Sequence, residues 1–300
     1  QPRAEPDTER RARMTSPRFH FIPVMGHEIH VTEWGDPKNP ALMMLHGLAR
    51  TGRDFDEVAA TLSQNFHVLC PDMIGRGRSS WAASPEAEYS VEHYARIATG
   101  VLDHFQIDHA AWFGTSLGGM IGMHMASGPE TARVSALVVN DISPELPEAA
   151  VQRILSYVGS LPAFDSFAKG EAWLRKTYAP FGPAADAYWQ RMARTSLRRR
   201  GDGRLTLHYD PRITVQFTAS AHELSTWDRW SRTRTPTHLL RGAQSDLLQP
   251  EAAQRMTQSG PRPDMTEFPG CGHAPSMSNP QDISLLRRVL VELLGQSAPS

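Results

Sequence analysis

Ser116 lies in the sequence Gly114-Thr115-Ser116-Leu117-Gly118, between an apolar run and a helical pattern. This G-x-S-x-G spacing is typical of a sharp strand-to-helix turn that exposes a serine hydroxyl for attack on a carbonyl carbon. Glycines two positions to either side remove side chains that would collide in such a strained turn. The helix that follows directs the positive end of its dipole at the site. The motif therefore predicts that Ser116 is a catalytic nucleophile.

A serine nucleophile needs a base whose pKa lies near the working pH, and histidine meets that need. The chain contains 13 histidines, so position has to distinguish them. His273 follows the last predicted strand, in the glycine-rich sequence Gly270-Cys271-Gly272-His273. We therefore predict that His273 is the general base.

A carboxylate must orient this base, and two aspartates are candidates. Asp246 follows the strand predicted at residues 237–240 and gives the chain order Ser, Asp, His. Asp141 follows the strand after the nucleophile helix and is the alternative. The sequence favours Asp246 as the catalytic acid, and it favours a turn-capping or supporting role for Asp141.

The tetrahedral intermediate of acyl transfer needs hydrogen-bond donors for its oxyanion, each usually worth several kcal/mol. The sequence Leu45-His46-Gly47-Leu48 closes an earlier predicted strand. We predict that the backbone N–H groups of Leu48 and Leu117 form this oxyanion hole. His46 is interpreted as structural, holding its loop through side-chain hydrogen bonds.

Short apolar runs alternating with helical patterns must position these residues, and such alternation predicts a mainly parallel sheet with helices on both faces. Helical patterns cover residues 54–62, 91–105, 117–126, 250–258 and 282–294. The predicted strands are residues 19–23, 27–34, 41–45, 67–71, 110–113, 134–139, 237–240 and 265–268.

Residues 144–236 interrupt this alternation with mainly helical patterns and hold 12 of the 24 aromatic residues. We expect these rings to form a small core of their own, and some of them to line an apolar pocket facing the sheet. Residues 1–18 are rich in Arg, Glu and Pro, and we predict a disordered tail.

Together these motifs resemble the α/β-hydrolase superfamily from about residue 19 onward. The loop Pro71-Asp72-Met73-Ile74-Gly75, which continues to Ser79, is similar to the loop that this family carries after its fourth strand, and Asp72 is read as structural. The resemblance implies an α/β fold with an eight-stranded, mainly parallel sheet. It also implies a core of residues 19–143 and 237–300, a helical cap of residues 144–236, no cofactor and no metal.

The residue at the turn limits the chemistry that the resemblance implies. Haloalkane dehalogenases and epoxide hydrolases of this fold use an aspartate nucleophile, whereas this chain has Ser116. We therefore predict a carboxylesterase that cleaves small or medium esters, hydroxyacyl esters among them, through an acyl-enzyme. The alternatives are a hydrolase that cleaves a C–C bond in a ring-cleavage diketone, a perhydrolase, and a non-catalytic ligand-binding or signalling protein.

Composition excludes several other classes. There are 31 Lys and Arg against 32 Asp and Glu, so no overall basic field attracts nucleic acid. The longest apolar run, residues 41–45, is far shorter than the ~20 residues of a membrane span. Two cysteines favour a reducing, cytoplasmic setting. The expected partner is a small-molecule ester. Because the chain begins with Gln, we also expect that residues before Gln1 have been removed. A removed signal peptide is one alternative.

Overall fold

A computed structural model describes residues 16–296, and the predicted strands occur in it within one or two residues of their expected ends. Four of the five residues of the third strand and all five of the fourth are buried, which explains their continuous apolar character. The described strands are β1 (Arg18–Val24), β2 (His27–Trp34), β3 (Ala41–Leu45), β4 (His67–Pro71), β5 (Ala110–Thr115), β6 (Val134–Asn140), β7 (Leu197–Arg199), β8 (Leu205–Leu207), β9 (Thr237–Gly242) and β10 (Asp264–Phe268).

Eight of these strands form one sheet in the order β1-β2-β4-β3-β5-β6-β9-β10. Strand β2 is antiparallel to β1 and β4, and every other pairing in this sheet is parallel. The prediction of an eight-stranded, mainly parallel sheet is confirmed. Because β5, β6 and β9 are parallel neighbours, their carboxyl ends meet at one edge, as is usual for ligand sites in open α/β sheets.

Helices cover both faces of the sheet and bury two apolar clusters. Helices α3, α4 and α10 pack on one face together with the chain between β6 and β9, and α1 and α11 pack on the other. The described helices are α1 (Asp56–Leu62), α2 (Pro85–Glu88), α3 (Val91–His104), α4 (Leu117–Ser127), α5 (Glu148–Val158), α6 (Phe167–Thr177), α7 (Asp186–Ser196), α8 (Gln216–Ala219), α9 (Trp227–Arg232), α10 (Pro250–Gln258) and α11 (Pro280–Gln296).

The β6–β9 segment, by which we mean the residues between Asn140 and Thr237, is mainly helical as expected. It contains helices α5 to α9 and also a small antiparallel hairpin, β7–β8, which the sequence pattern did not indicate. Each hairpin strand has only three residues, too few to show a clear alternation of polar and apolar side chains. Most aromatic residues of the segment are buried in the larger apolar cluster, which also contains residues of the sheet and of α3 and α4. The expectation that these rings form a small core of their own is therefore wrong, because they pack into a core shared with the sheet.

The amino-terminal prediction is tested only at its end. Residues 1–15 of the predicted tail lie outside the described residues. Arg18 is the first residue of β1, and its guanidinium donates hydrogen bonds to Glu33 and to the carbonyl of Gly35. The predicted tail, residues 1–18, therefore wrongly includes Arg18. Within residues 16–296, no helix combines the length and apolar character needed to cross a membrane. The cytoplasmic setting stays a prediction.

Candidate active site

Ser116 lies in the turn between β5 and α4, in a backbone conformation that side chains rarely adopt. Its φ is +53° and its ψ is −114°, so this residue is strained as the sequence motif predicts. A Cβ atom on Gly114 would overlap the backbone of Gly118, and one on Gly118 would overlap the carbonyl oxygen of Leu45. Both glycines are therefore required by the close approach of the chain on either side of Ser116.

We expect Gly118→Ala to lower the free energy of unfolding by about 3 kcal/mol, the upper end of the usual cost of overpacking, because the new methyl group meets a backbone atom that cannot rotate away. Thermal and urea unfolding would measure the change. Gly201→Ala is the control, since a Cβ on Gly201 has no atom within 4 Å. Equal stabilities for the two variants would contradict the steric argument.

His273 lies on the loop after β10 and contacts Ser116 directly. The Ser116 hydroxyl donates a hydrogen bond to Nε2 of His273 at an Oγ–Nε2 distance of 2.8 Å. The His273 side chain is only 13% exposed. The hydrogen bond fits a transfer of the serine proton to the imidazole, so the structure brings together the predicted nucleophile and the predicted base.

Asp141 is the carboxylate that contacts His273. The Nδ1–H group of His273 donates to Oδ2 of Asp141 at 2.8 Å, and the carboxylate is fully buried. The backbone N–H of Gly242 and the hydroxyl of Ser245 also donate to Asp141, at 2.7 and 2.6 Å. These donors satisfy a buried charge that would otherwise be costly, and they fix the carboxylate against the imidazole.

The prediction that Asp246 orients His273 is wrong. Asp246 accepts two hydrogen bonds from the guanidinium of Arg153 instead, at 2.5 and 2.9 Å, and its side chain is 46% exposed. The end of β9 and the loop after it contact the other aspartate, because Gly242 and Ser245 both donate to Asp141. The alternative that the sequence left open, Asp141, therefore has the position expected of the acid.

Asn140 links the serine turn to the histidine loop, and the sequence analysis missed it. Its side-chain amide donates to the hydroxyl of Thr115 at 3.1 Å and to the carbonyl of Pro275 at 2.9 Å. Its carbonyl accepts from the backbone N–H of Ser116 at 2.9 Å. Its position as the last residue of β6 gives no local indication of these distant partners. This residue fixes the distance between the two loops that carry Ser116 and His273.

The predicted oxyanion donors lie beside the serine. Leu117 begins α4, where the first backbone N–H groups of a helix have no partner within the helix. Gly47 precedes Leu48 and packs on the serine, since a Cβ on Gly47 would lie 3.8 Å from the Cβ of Ser116. The two backbone segments that carry the predicted donors thus flank Ser116.

His46 holds this loop, as the sequence analysis expected. It is fully buried, its Nδ1–H donates to the carbonyl of Gly47 at 2.8 Å, and its Nε2 accepts from the N–H of Met73 at 3.0 Å. Burial disfavours the charged form and lowers the pKa of His46 to about 4. The ring is therefore neutral at pH 7 and both nitrogens serve structure.

Arg76 is a second residue that the sequence analysis missed. Its guanidinium is fully buried and donates from Nε to the carbonyl of Leu48 at 2.7 Å. It also donates to the carbonyl of Ile74 and to the hydroxyl of Tyr94, both at 2.8 Å. The first of these hydrogen bonds holds the backbone of Leu48, and the other two hold the guanidinium in place. Asp72, in the same loop, accepts from the N–H groups of Gly52 and Arg78, in keeping with its predicted structural role.

Ser116 and His273 line a cavity whose empty volume, counted together with space open to solvent, is about 790 Å³. The β6–β9 segment contributes one wall, so the expectation that some of its aromatic residues face a pocket is confirmed. The wall from this segment includes Ile154, Tyr157, Val158, Tyr178, Phe181 and Tyr188.

One cluster among residues 16–296 could hold a metal ion, although the sequence analysis expected none. His27, Glu88 and His93 bring ligand atoms within 4.8 Å of one another. None of the three lines the cavity that contains Ser116.

Comparison with known proteins agrees with this fold. The sequence profile of the alpha/beta hydrolase family matches residues 42–284. The 3-hydroxybutyrate-oligomer hydrolase of Cupriavidus necator is 38% identical over 284 residues, which cover 90% of this chain and 96% of that protein. An alpha/beta hydrolase from Novosphingobium aromaticivorans has a solved structure with a TM-score of 0.81 and 29% identity, covering 92% of this chain and 98% of that one.

Proposed function

Because this chain belongs to the α/β-hydrolase family and is a hydrolase, we propose that it is a serine carboxylesterase for small or medium esters. One observation carries the proposal. Ser116, His273 and Asp141 form a continuous line of hydrogen bonds, each 2.8 Å long, at the wall of the cavity. This is the arrangement of a nucleophile, a base and an orienting acid.

The proposed reaction has two half-reactions. His273 takes the proton of Ser116 while the serine oxygen forms a bond to the ester carbonyl carbon, and Asp141 stabilises the resulting imidazolium. The tetrahedral intermediate then expels the alcohol, which receives the proton from His273. Water activated by His273 releases the acid from Ser116.

The N–H groups of Leu48 and Leu117 are proposed as donors to the oxyanion. The contacts of His46 and Arg76 support this, because they hold the backbone of the loop that carries Leu48. We also propose that the β6–β9 segment acts as a cap that limits the size of the substrate, since its helix α5 and its aromatic residues wall the cavity.

The relative from Cupriavidus necator supports an ester made of hydroxyacyl units as the substrate class. Its name assigns to that protein the hydrolysis of 3-hydroxybutyrate oligomers, which are chains of hydroxy acids joined by ester bonds. The apolar and aromatic wall of the cavity suits the methyl and methylene groups of such a chain.

A side-by-side assay tests the proposed class. We expect the protein to hydrolyse 4-nitrophenyl butyrate, and we expect a vinylogous diketone of the ring-cleavage type to be left intact. A fluorophosphonate should label Ser116, which mass spectrometry of the digested protein would locate. Cleavage of the diketone without hydrolysis of the ester would favour the C–C hydrolase instead. An unlabelled Ser116 together with two intact substrates would favour a non-catalytic ligand-binding protein.

A further inference from the structure

Arg153 places a cationic side chain in the wall of the cavity that contains Ser116. It lies on α5, whose neighbouring residues Ile154, Tyr157 and Val158 line the same cavity. Its side chain is 43% exposed, so the guanidinium is open to a molecule that enters. The proposed ester reaction gives this cation no role.

The other arginine of the cavity wall is not available to a ligand. Arg50 is 4% exposed, and it donates two hydrogen bonds to Asp54, at 2.8 and 2.7 Å, and one to the hydroxyl of Ser196 at 2.7 Å. Its guanidinium also lies 4.7 Å from the ring centre of Tyr178. Asp54 neutralises this cation within the wall, which leaves Arg153 to attract an anionic ligand.

The partner of Arg153 is a carboxylate that a ligand can replace. Asp246 accepts both hydrogen bonds of the guanidinium in a two-pronged geometry, and its side chain is 46% exposed. Exposed ion pairs of this kind contribute little to stability, because water screens the two charges, so exchanging one carboxylate for another costs little. The planar guanidinium fork is also the group best suited to bind a carboxylate through two hydrogen bonds.

We propose that Arg153 binds a free carboxylate of the substrate, so that the cavity takes esters of hydroxy acids that end in an unesterified acid group. This inference rests on the proposed ester hydrolysis and deepens it. A chain of hydroxyacyl units has one such carboxylate at its acid end, which distinguishes it from the neutral esters that an apolar cavity alone would accept.

The position of the carboxylate determines which product leaves first. With the acid end at Arg153 and the ester carbonyl at Ser116, the bond from the serine oxygen to the carbonyl carbon forms. The bond from that carbon to the alcohol oxygen breaks, and His273 protonates the departing oxygen. The first product is a hydroxy acid that carries the bound carboxylate, and the remainder stays on Ser116 until water releases it.

Asp246 holds the guanidinium of Arg153 in place and competes with the substrate for it. Two opposite effects follow for anionic substrates. Removing the charge of Arg153 should weaken their binding, and removing the charge of Asp246 should strengthen it, because the guanidinium then has no carboxylate partner in the empty site.

Two forms of one substrate test this inference. The dimer of 3-hydroxybutyrate is assayed as the free acid and as its methyl ester. The kcat/KM for the free acid is divided by the kcat/KM for the methyl ester, and this ratio is compared between variants. We expect Arg153→Gln to lower the ratio by about tenfold or more, mainly through the KM of the free acid, as loss of a two-pronged charged contact implies. Arg153→Lys should give an intermediate ratio, and Asp246→Asn a higher one.

Arg200→Gln is the matched control. Arg200 pairs with Asp202 at 3.1 Å, and their side chains are 43% and 44% exposed, close to the values for Arg153 and Asp246. Arg200 does not line the cavity, so its loss should leave the ratio at the wild-type value. The unfolding temperature of each variant is recorded to check that it is folded.

An Arg153→Gln ratio within about twofold of the wild-type ratio, or an Asp246→Asn ratio below it, would overturn the inference. Failure of the proposed ester hydrolysis would give a result that differs from failure of the carboxylate site. In that case the wild-type protein would hydrolyse neither form of the dimer nor 4-nitrophenyl butyrate. Hydrolysis of the neutral esters with an unchanged ratio would reject only the carboxylate site.

Discussion

Ser116→Ala is expected to lower the kcat for 4-nitrophenyl butyrate by about 10⁶-fold, the usual scale for loss of a serine nucleophile. Alanine cannot form the acyl-enzyme, and the proposed oxyanion donors alone would give only a small part of the rate. The measurement is steady-state hydrolysis, combined with mass spectrometry of the protein after treatment with a fluorophosphonate. The wild-type protein should gain one adduct, and the variant should gain none.

The control for this experiment is Ser231→Ala. Ser231 is exposed on α9, and its hydroxyl donates only to the carbonyl of Asp228 within the same helix, at 2.8 Å. Its removal should change kcat by less than about twofold, since exposed substitutions far from a site are usually close to neutral. A loss of under a hundredfold in purified Ser116→Ala would contradict the role of Ser116.

Asp141→Asn is expected to lower kcat by about 10⁴-fold, the scale seen when the orienting carboxylate of such a triad loses its charge. Asparagine keeps the shape and can still accept a hydrogen bond from Gly242, but it presents no charge to the imidazolium of His273. The measurement is the kcat for 4-nitrophenyl butyrate, with the unfolding temperature recorded to separate a loss of chemistry from a loss of folding.

Asp246→Asn gives the comparison that distinguishes the two aspartates. Because Asp246 contacts Arg153 and does not contact His273, its loss should cost at least about a hundredfold less in kcat than the loss of Asp141. The opposite order would return the acid role to Asp246 and would require a different arrangement of its loop in solution.

The elements that carry the site could be predicted from the sequence because their signals are local. The strand, the glycine-flanked Ser116 and the helix after it follow one another directly, and a short apolar run buried on both faces has few other interpretations. The same holds for His273, which follows the last strand in a glycine-rich loop. Each of these signals depends on a few consecutive residues.

The proposed acid, Asp141, could not be predicted in this way because the choice between two aspartates depends on contacts between distant segments. Strands β6 and β9 are neighbours, so Asp141 and Asp246 both follow strands that end at the same edge of the sheet. Asp141 is the residue directly after β6, whereas Asp246 comes four residues after the end of β9, beyond a turn that directs it to Arg153.

The contacts of Asn140 and Arg76 were missed for the same reason. Each side chain joins segments that are far apart in the chain: Asn140 donates to the carbonyl of Pro275, and Arg76 to the carbonyl of Leu48. An asparagine at a strand end or an arginine in a glycine-rich loop has no local pattern that indicates such a partner. Only the folded arrangement identifies them as residues that position the site.

Because Asp141 follows β6, the carboxylate that contacts His273 and the carboxylate that contacts Arg153 lie on different loops. With the proposed acid anchored directly after β6, the side chain of Asp246 in the β9–α10 loop contacts Arg153 and has no contact with the histidine to preserve. The exposed residues Asp246 and Gln249 and the cavity-facing side chains of α5 can therefore change in size and charge while the reacting groups keep their geometry. The buried Leu247 and Leu248 between them must stay, because their N–H groups bind the hydroxyl of Ser245, which donates to Asp141. A library confined to Asp246, Gln249 and the cavity-facing positions of α5 would accordingly alter substrate choice with few losses of turnover.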